Sequence, residues 1–183
     1  MHIIKRNVTY IPPNMLKLII QSKIFPIIDY GSEVYNDLSE ILNNKIQRLQ
    51  NACVRYILNI RRDEHITHHY LRIEWLKLHE RRHLSIALLT WKILHNKTPP
   101  YLYNAFRPMN TIHSRINRFT VSTLQIPIHR TTKFNKSFIS TGSRLYKKCD
   151  LHQFVSCINS LPVKKHFIRH FLDQYRLQMH TSA

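Results

Sequence analysis

Only two glycines, Gly31 and Gly142, occur in 183 residues. No glycine-rich loop can be built from them, which excludes the P-loop and dinucleotide-binding patterns. Acidic residues are also scarce: 10 Asp plus Glu stand against 28 Lys plus Arg. No two aspartates are adjacent, and two-metal chemistry needs at least two convergent carboxylates on rigid elements. The nearest pairs, Asp29/Glu33 and Asp63-Glu64, read more simply as ion-pair partners in so basic a chain. Three cysteines (Cys53, Cys149, Cys157) form no C-x-x-C and leave one over, which points to a reducing compartment and no disulfide framework. The N-terminus carries no signal-peptide pattern, and Lys17, Gln21, Lys23 and Pro26 break the apolar stretch Leu16 to Ile28. The expectation is an intracellular protein, nuclear or cytoplasmic, with no membrane partner.

What is present is positive charge. The formal net is +18 at a pI near 10.2. Such an excess opposes compaction by self-repulsion and makes a polyanion the default partner. It is densest late in the chain, where residues 111–183 hold 12 basic side chains against only Asp150 and Asp173. The length suits one domain, or one and a small appendage, and a hydrophobic content of 43% is enough for a real core.

Periodicity is mostly helical. Pro12-Pro13-Asn14 opens a helix that Pro26 must kink or end, and a second piece runs from Ile27 to about Tyr35. Leu42, Ile46, Leu49, Cys53, Tyr56 and Ile60 recur at helical spacing and predict the buried stripe of the next helix. Lys45, Arg48 and Arg55 gather beside that stripe. Short and long helices follow over His65–Arg72 and Lys77–His95, the latter with Leu84, Ala87, Leu88, Trp91 and Leu94 inward. After Pro108 the texture turns to Thr, Ser, Ile and Phe, and Phe119–Ile126 and Phe134–Ser140 read as two short strands or an extended arm. Pro162 acts as a breaker before a terminal helix carrying Phe167, Ile168, Phe171, Leu172 and Tyr175.

Two clusters resemble metal sites. His79-Glu80-Arg81-Arg82-His83 matches H-E-x-x-H literally, but its x-x pair is two arginines and no third-ligand extension follows. Cys149-x2-His152-x4-Cys157, with His166 and His170 beyond, spaces its ligands too widely for a zinc knuckle. Neither is assigned a metal, and no cofactor is expected. Basic residues next to rings, such as Arg55-Tyr56, Arg118-Phe119 and Lys133-Phe134, suit a partner with phosphates and unpaired bases.

Three runs occur in order: Tyr30-Gly31-Ser32-Glu33-Val34-Tyr35, Leu49-Gln50-Asn51-Ala52-Cys53-Val54-Arg55-Tyr56-Ile57 and Lys92-Ile93-Leu94-His95-Asn96-Lys97-Thr98-Pro99-Pro100-Tyr101-Leu102. With Ile126-Pro127-x-His129-Arg130-Thr131 and Arg144-Leu145-Tyr146, the chain resembles the region after the polymerase palm in jockey-like non-LTR retrotransposon reverse transcriptases. The resemblance weakens after Tyr146, where Lys147-Lys148-Cys149-Asp150 precedes Asn159-Ser160-Leu161-Pro162. It implies thumb-like helices over about residues 1–60 that grip a template–primer duplex, a helical continuation over 61–110, and a basic C-terminal region over 111–183. It implies neither polymerase nor endonuclease activity, because neither the palm's Asp-Asp pair nor the family's usual N-terminal endonuclease has a counterpart here. The family's palm would be a partner in a full-length element.

The resulting expectation is a mainly α-helical chain with a small β or extended segment. Its expected activity is sequence-tolerant RNA or DNA binding without catalysis. The residues expected at phosphates are Lys45, Arg48, Arg55, Arg61, Arg62, Arg81 and Arg82. The alternative is a degenerate relic or a helical protein-interaction module.

Overall fold

The computed structural model describes residues 11–109, 124–154, 157 and 159–180. Pro13 at the first position starts helix α1 (Pro13–Lys23), where a missing N–H costs nothing. Leu16 and Ile20, one turn apart, are its buried pair. Pro26 falls in the first turn of α2 (Phe25–Asp29), so the kink lies between the two helices. The second piece stops at Asp29 and does not reach Tyr35. Gly31 takes a left-handed φ of 65°, which turns the chain out of the helix.

Helix α3 (Glu40–Leu58) buries Gln50, Cys53, Val54 and Ile57, while Leu42 and Leu49 are exposed. The inward face is therefore rotated from the apolar stripe expected over Leu42, Ile46 and Leu49. The reason is polar. Gln50 is interior because its Nε2 donates to the Leu76 carbonyl at 2.8 Å. Helices α4 (Thr67–Arg72), α5 (Leu78–Asn96) and α6 (Pro100–Ala105) follow.

Helix α5 is the central element and packs against α2, α3 and α6, and against α8 (Phe138–Lys148) and α9 (Ser160–His180). Its buried residues include Leu78, Ile86, Ala87, Trp91 and Ile93, whereas the expected Leu84, Leu88 and Leu94 are only partly covered. With neighbours on several sides, α5 has no single inner stripe. Two apolar clusters result. One gathers Leu16, Ile20, Phe25, Val54, Ile57 and Tyr70; the other runs from Leu76 through Trp91, Leu145 and Phe167 to Tyr175. The second cluster joins α5 to α8 and α9.

The strand expected at Phe134–Ser140 is helical instead: Thr132–Asn135 forms the short α7 and Phe138 begins α8. Thr131 explains the first of these, since its Oγ1 accepts from Phe134 N at 3.3 Å and caps the turn. Most of the strand expected at Phe119–Ile126 lies outside the described residues. Among those described, extended pairing is confined to one isolated bridge, Pro108 with Leu124. Pro162 breaks nothing, because it sits in the first turn of α9.

The start of α5 is fastened from outside. Lys77 offers no capping side chain, so Leu78 N donates to Gln47 Oε1 at 3.0 Å and Lys77 N donates to Tyr175 Oη at 3.1 Å. Gln47 Nε2 also donates to Tyr70 Oη and Asn51 Oδ1, each at 2.9 Å. Gln47→Leu should therefore cost about 2 kcal/mol, the scale of orphaning buried donors and acceptors. A urea midpoint equal to that of the wild type would contradict this fastening.

Candidate anion-binding cleft

Helical spacing puts His79, Arg82 and His83 on one face of α5, and Thr141, Arg144, Leu145 and Lys148 on one face of α8. The two faces border a cleft of about 800 Å³. Five cationic side chains line it: Arg82, Lys136, Arg144, Lys147 and Lys148. His79 and His83 join them, Leu38, Ile126 and Leu145 supply an apolar wall, and among the described residues no carboxylate lines it. The helices can approach because Gly142 lacks a Cβ. One placed there would lie 2.5 Å from Thr90 Oγ1 and 3.4 Å from the Phe106 ring.

The five cations differ in how far they are compensated. Lys136 Nζ pairs with Asp37 at 2.8 Å. Arg144 is held but not neutralised, as its Nε donates to the Ser140 carbonyl at 3.2 Å and its Nη2 to the Asn135 carbonyl. Lys148 Nζ stands 5.3 Å from the centroid of the Phe171 ring. Arg82, Arg144, Lys147 and Lys148 have no carboxylate partner among the described residues. The charge in the cleft is thus largely uncancelled.

Arg82 is the unusual member. It is 3% exposed. Its Nη1 donates to Asn43 Oδ1, and its guanidinium lies 5.3 Å from the Tyr35 ring centroid. Its Nε and Nη2 are buried with no hydrogen-bond partner among the described residues. Unpaired donors on a buried cation are costly, and burial lowers the Arg82 pKa from its ordinary value.

His83 reports the same field. Burial first, then His79, Lys148 and Arg144, bring its pKa down to about 3. Its ring centroid is 3.9 Å from that of His79. Because the folded imidazole refuses a proton that the unfolded one accepts below about 6.5, His83 lowers stability as pH falls from there towards 3. His83→Gln should flatten that limb, so that stability falls less between pH 7 and pH 4.5 than in the wild type. Parallel losses in urea midpoints at the two pH values would contradict the assignment.

Of the residues expected at phosphates, the cleft contains only Arg82. Lys45, Arg48, Arg61 and Arg62 are exposed on or just after α3, and Arg61 lies 3.8 Å from Asp63. Arg55 instead clamps the loop after α3, donating to the carbonyls of Arg61, Arg62 and Glu64 at 3.1–3.3 Å. Arg81 faces the other side of α5. It pairs in bidentate fashion with Asp29, stacked 4.0 Å from the Phe25 ring centroid. Arg81 and Arg55 are therefore already engaged within the chain, by a carboxylate and by backbone carbonyls respectively. Lys136, Arg144, Lys147 and Lys148 were missed as site residues. Their signal was the spacing of Thr141, Arg144, Leu145 and Lys148, hidden because the start of α8 reads as a strand.

The two metal-like clusters separate. Glu80 lies towards Tyr175, whose pKa burial and that carboxylate both raise, while His79 and His83 line the cationic cleft. Cys149 is buried, and burial pushes its thiol up to about 11; its carbonyl is 3.1 Å from His166 Nε2. Among the described residues no three His, Cys, Asp or Glu side chains assemble in metal-ligating geometry. Among the same residues no helix is long and apolar enough to cross a membrane.

The fold and cleft define a mainly α-helical protein with a basic pocket beside its central helix. No protein-family model, curated protein or solved structure matches the chain.

Proposed function

We propose that this chain is a non-catalytic nucleic-acid-binding module of the kind found after the palm in non-LTR retrotransposon reverse transcriptases. It holds RNA or DNA by the phosphate backbone without reading sequence. The observation that carries the reading is the cleft. Four cations without carboxylate partners among the described residues converge there, in a chain of net charge +18. Phosphate contacts fix a strand in place without sequence information, and each neutralised phosphate releases counterions. The exposed Lys45, Arg48 and Arg62 add to the general field and steer encounter. The work of the module is positioning, not bond making.

The test is fluorescence anisotropy of a labelled RNA–DNA hybrid at two salt concentrations. Submicromolar binding that weakens steeply with salt is expected, since affinity falls with the number of phosphates neutralised. A folded, monomeric sample that does not bind would overturn the reading.

A second reading is favoured by one observation. Tyr30 and Val34 are 86% and 89% exposed, and Met15, Leu18 and Ile27 are exposed nearby in sequence. Apolar surface of this kind marks contact with another protein, and the polymerase palm of a full-length element would be its partner. Tyr30→Ser with Val34→Ser should leave hybrid binding intact while reducing self-association in sedimentation; loss of hybrid binding would contradict that division of labour.

A further inference from the structure

The cleft has features that a surface for gripping a strand does not require. It is concave, its most buried cation has donors to spare, and one wall is apolar. A backbone grip needs only exposed cations along a track. Arg82 is held in place by Asn43 and Tyr35, and its buried Nε and Nη2, beside the cleft that the residue lines, have no partner among the described residues. Arg144 is fixed by two backbone carbonyls and carries an uncancelled charge. Lys148 brings a third cation from the same face of α8 as Arg144. Planar arginine forks match phosphate oxygens, and a buried fork loses least orientational freedom on binding.

We propose that the cleft is a discrete site for a terminal phosphate carrying a nucleoside, with the phosphate on Arg82, Arg144 and Lys148 and the nucleoside against Leu38, Ile126 and Leu145. The volume, about 800 Å³, falls within the range of small-ligand pockets and exceeds what a bare phosphate needs. The absence of a lining carboxylate among the described residues removes the repulsion that a doubly charged phosphate monoester would otherwise meet. The His79 and His83 rings, stacked edge to face at 3.9 Å, add an aromatic surface for the base. Two sources present this chemistry, a free nucleotide and the 5′-phosphorylated end of a strand. The site stands independently of the strand-binding reading, since a protein that ignored duplex backbone would still hold the nucleotide.

Isothermal titration with deoxyadenosine 5′-monophosphate, deoxyadenosine and inorganic pyrophosphate tests it. The nucleotide should bind at least about tenfold more tightly than the nucleoside, and pyrophosphate should compete with it. Lys148→Glu, at an exposed position, should weaken the nucleotide by at least about tenfold, and Arg82→Met should abolish binding. Lys23→Glu, at an exposed position of α1 outside the cleft, should leave nucleotide affinity unchanged. A thymidine dinucleotide with and without its 5′-phosphate separates the sources. Phosphate-dependent binding of the dinucleotide assigns the strand end; binding of the mononucleotide alone assigns the free nucleotide. Equal affinities for nucleotide and nucleoside, or nucleotide binding untouched by Lys148→Glu, would overturn the site. Hybrid binding measured on the same samples keeps this result separate from the strand-binding proposal. A wild type that binds hybrid but ignores the nucleotide removes the pocket and leaves the grip.

Discussion

Arg82→Met is expected to fold more stably than the wild type, by about 1 kcal/mol, while losing affinity for phosphate. Two effects of opposite sign decide this. The substitution forfeits the hydrogen bond to Asn43 and the approach to the Tyr35 ring, worth about 1–3 kcal/mol for a charged donor. Against that, it removes a cation that is 3% exposed with two donors unpaired. That cation shares the cleft with Arg144, Lys147 and Lys148. Desolvating an ion costs several kcal/mol even after relaxation, and replacement of buried charge by an apolar side chain of similar length is often stabilising. The second effect should win. Denaturant midpoints at pH 7 check the sign, and a clear loss of stability would mean that Arg82 is a structural tie like Arg81. Binding groups held at a cost to stability are what a ligand site requires, because the ligand then supplies the missing partners.

Gly142→Ala is expected to destabilise by about 2 kcal/mol, although alanine is the better helix former by about 1 kcal/mol. The added methyl would stand 2.5 Å from Thr90 Oγ1. Thr90 is fully buried on the central helix, so it has nowhere to withdraw. The helices must separate or the threonine must leave its rotamer, and overpacking of this kind costs about 1–3 kcal/mol. The same contact identifies its own remedy. Thr90 Oγ1 has no hydrogen-bond partner among the described residues, so Thr90→Ala loses packing but no hydrogen bond seen there. The double variant should recover most of the Gly142→Ala loss, with a coupling of about 1–2 kcal/mol in a double-mutant cycle. Strict additivity would show that α5 and α8 do not meet at this point. Because α5 and α8 carry both walls of basic residues, their separation should also weaken nucleotide binding.

The mainly helical class was legible because helical spacing recurs along nearly the whole chain, and most helix positions follow from it. What periodicity could not reveal was the orientation of the helices. Gln50 reads as surface, yet the Leu76 carbonyl draws it inside and rotates α3 with it. Helix α5 has neighbours on several sides, so its polar Arg82 and Thr90 are buried beside leucines that are not. Phe134–Ser140 reads as strand from its Phe, Ile and Ser content, but the Thr131 cap and the packing of α8 on α5 make it helical. That one misreading concealed half of the site, because the cations of α8 share a face only once α8 is a helix. The arginine pair at Arg81 and Arg82 was visible as a pair, but adjacent helical residues point about 100° apart. One serves an ion pair with Asp29 and the other the cleft.

The measurement that bears most directly on the central claim compares two charge-reversed variants for binding a labelled RNA–DNA hybrid at one salt concentration. One carries Lys147→Glu and Lys148→Glu in the cleft; the other carries Lys45→Glu and Arg48→Glu on α3. Both alter four units of charge at exposed positions, so a purely diffuse electrostatic attraction would weaken them alike. A cleft that anchors phosphate predicts that the first loses most of its affinity while the second keeps most of its own. Equal losses, or a greater loss from the α3 variant, would contradict it.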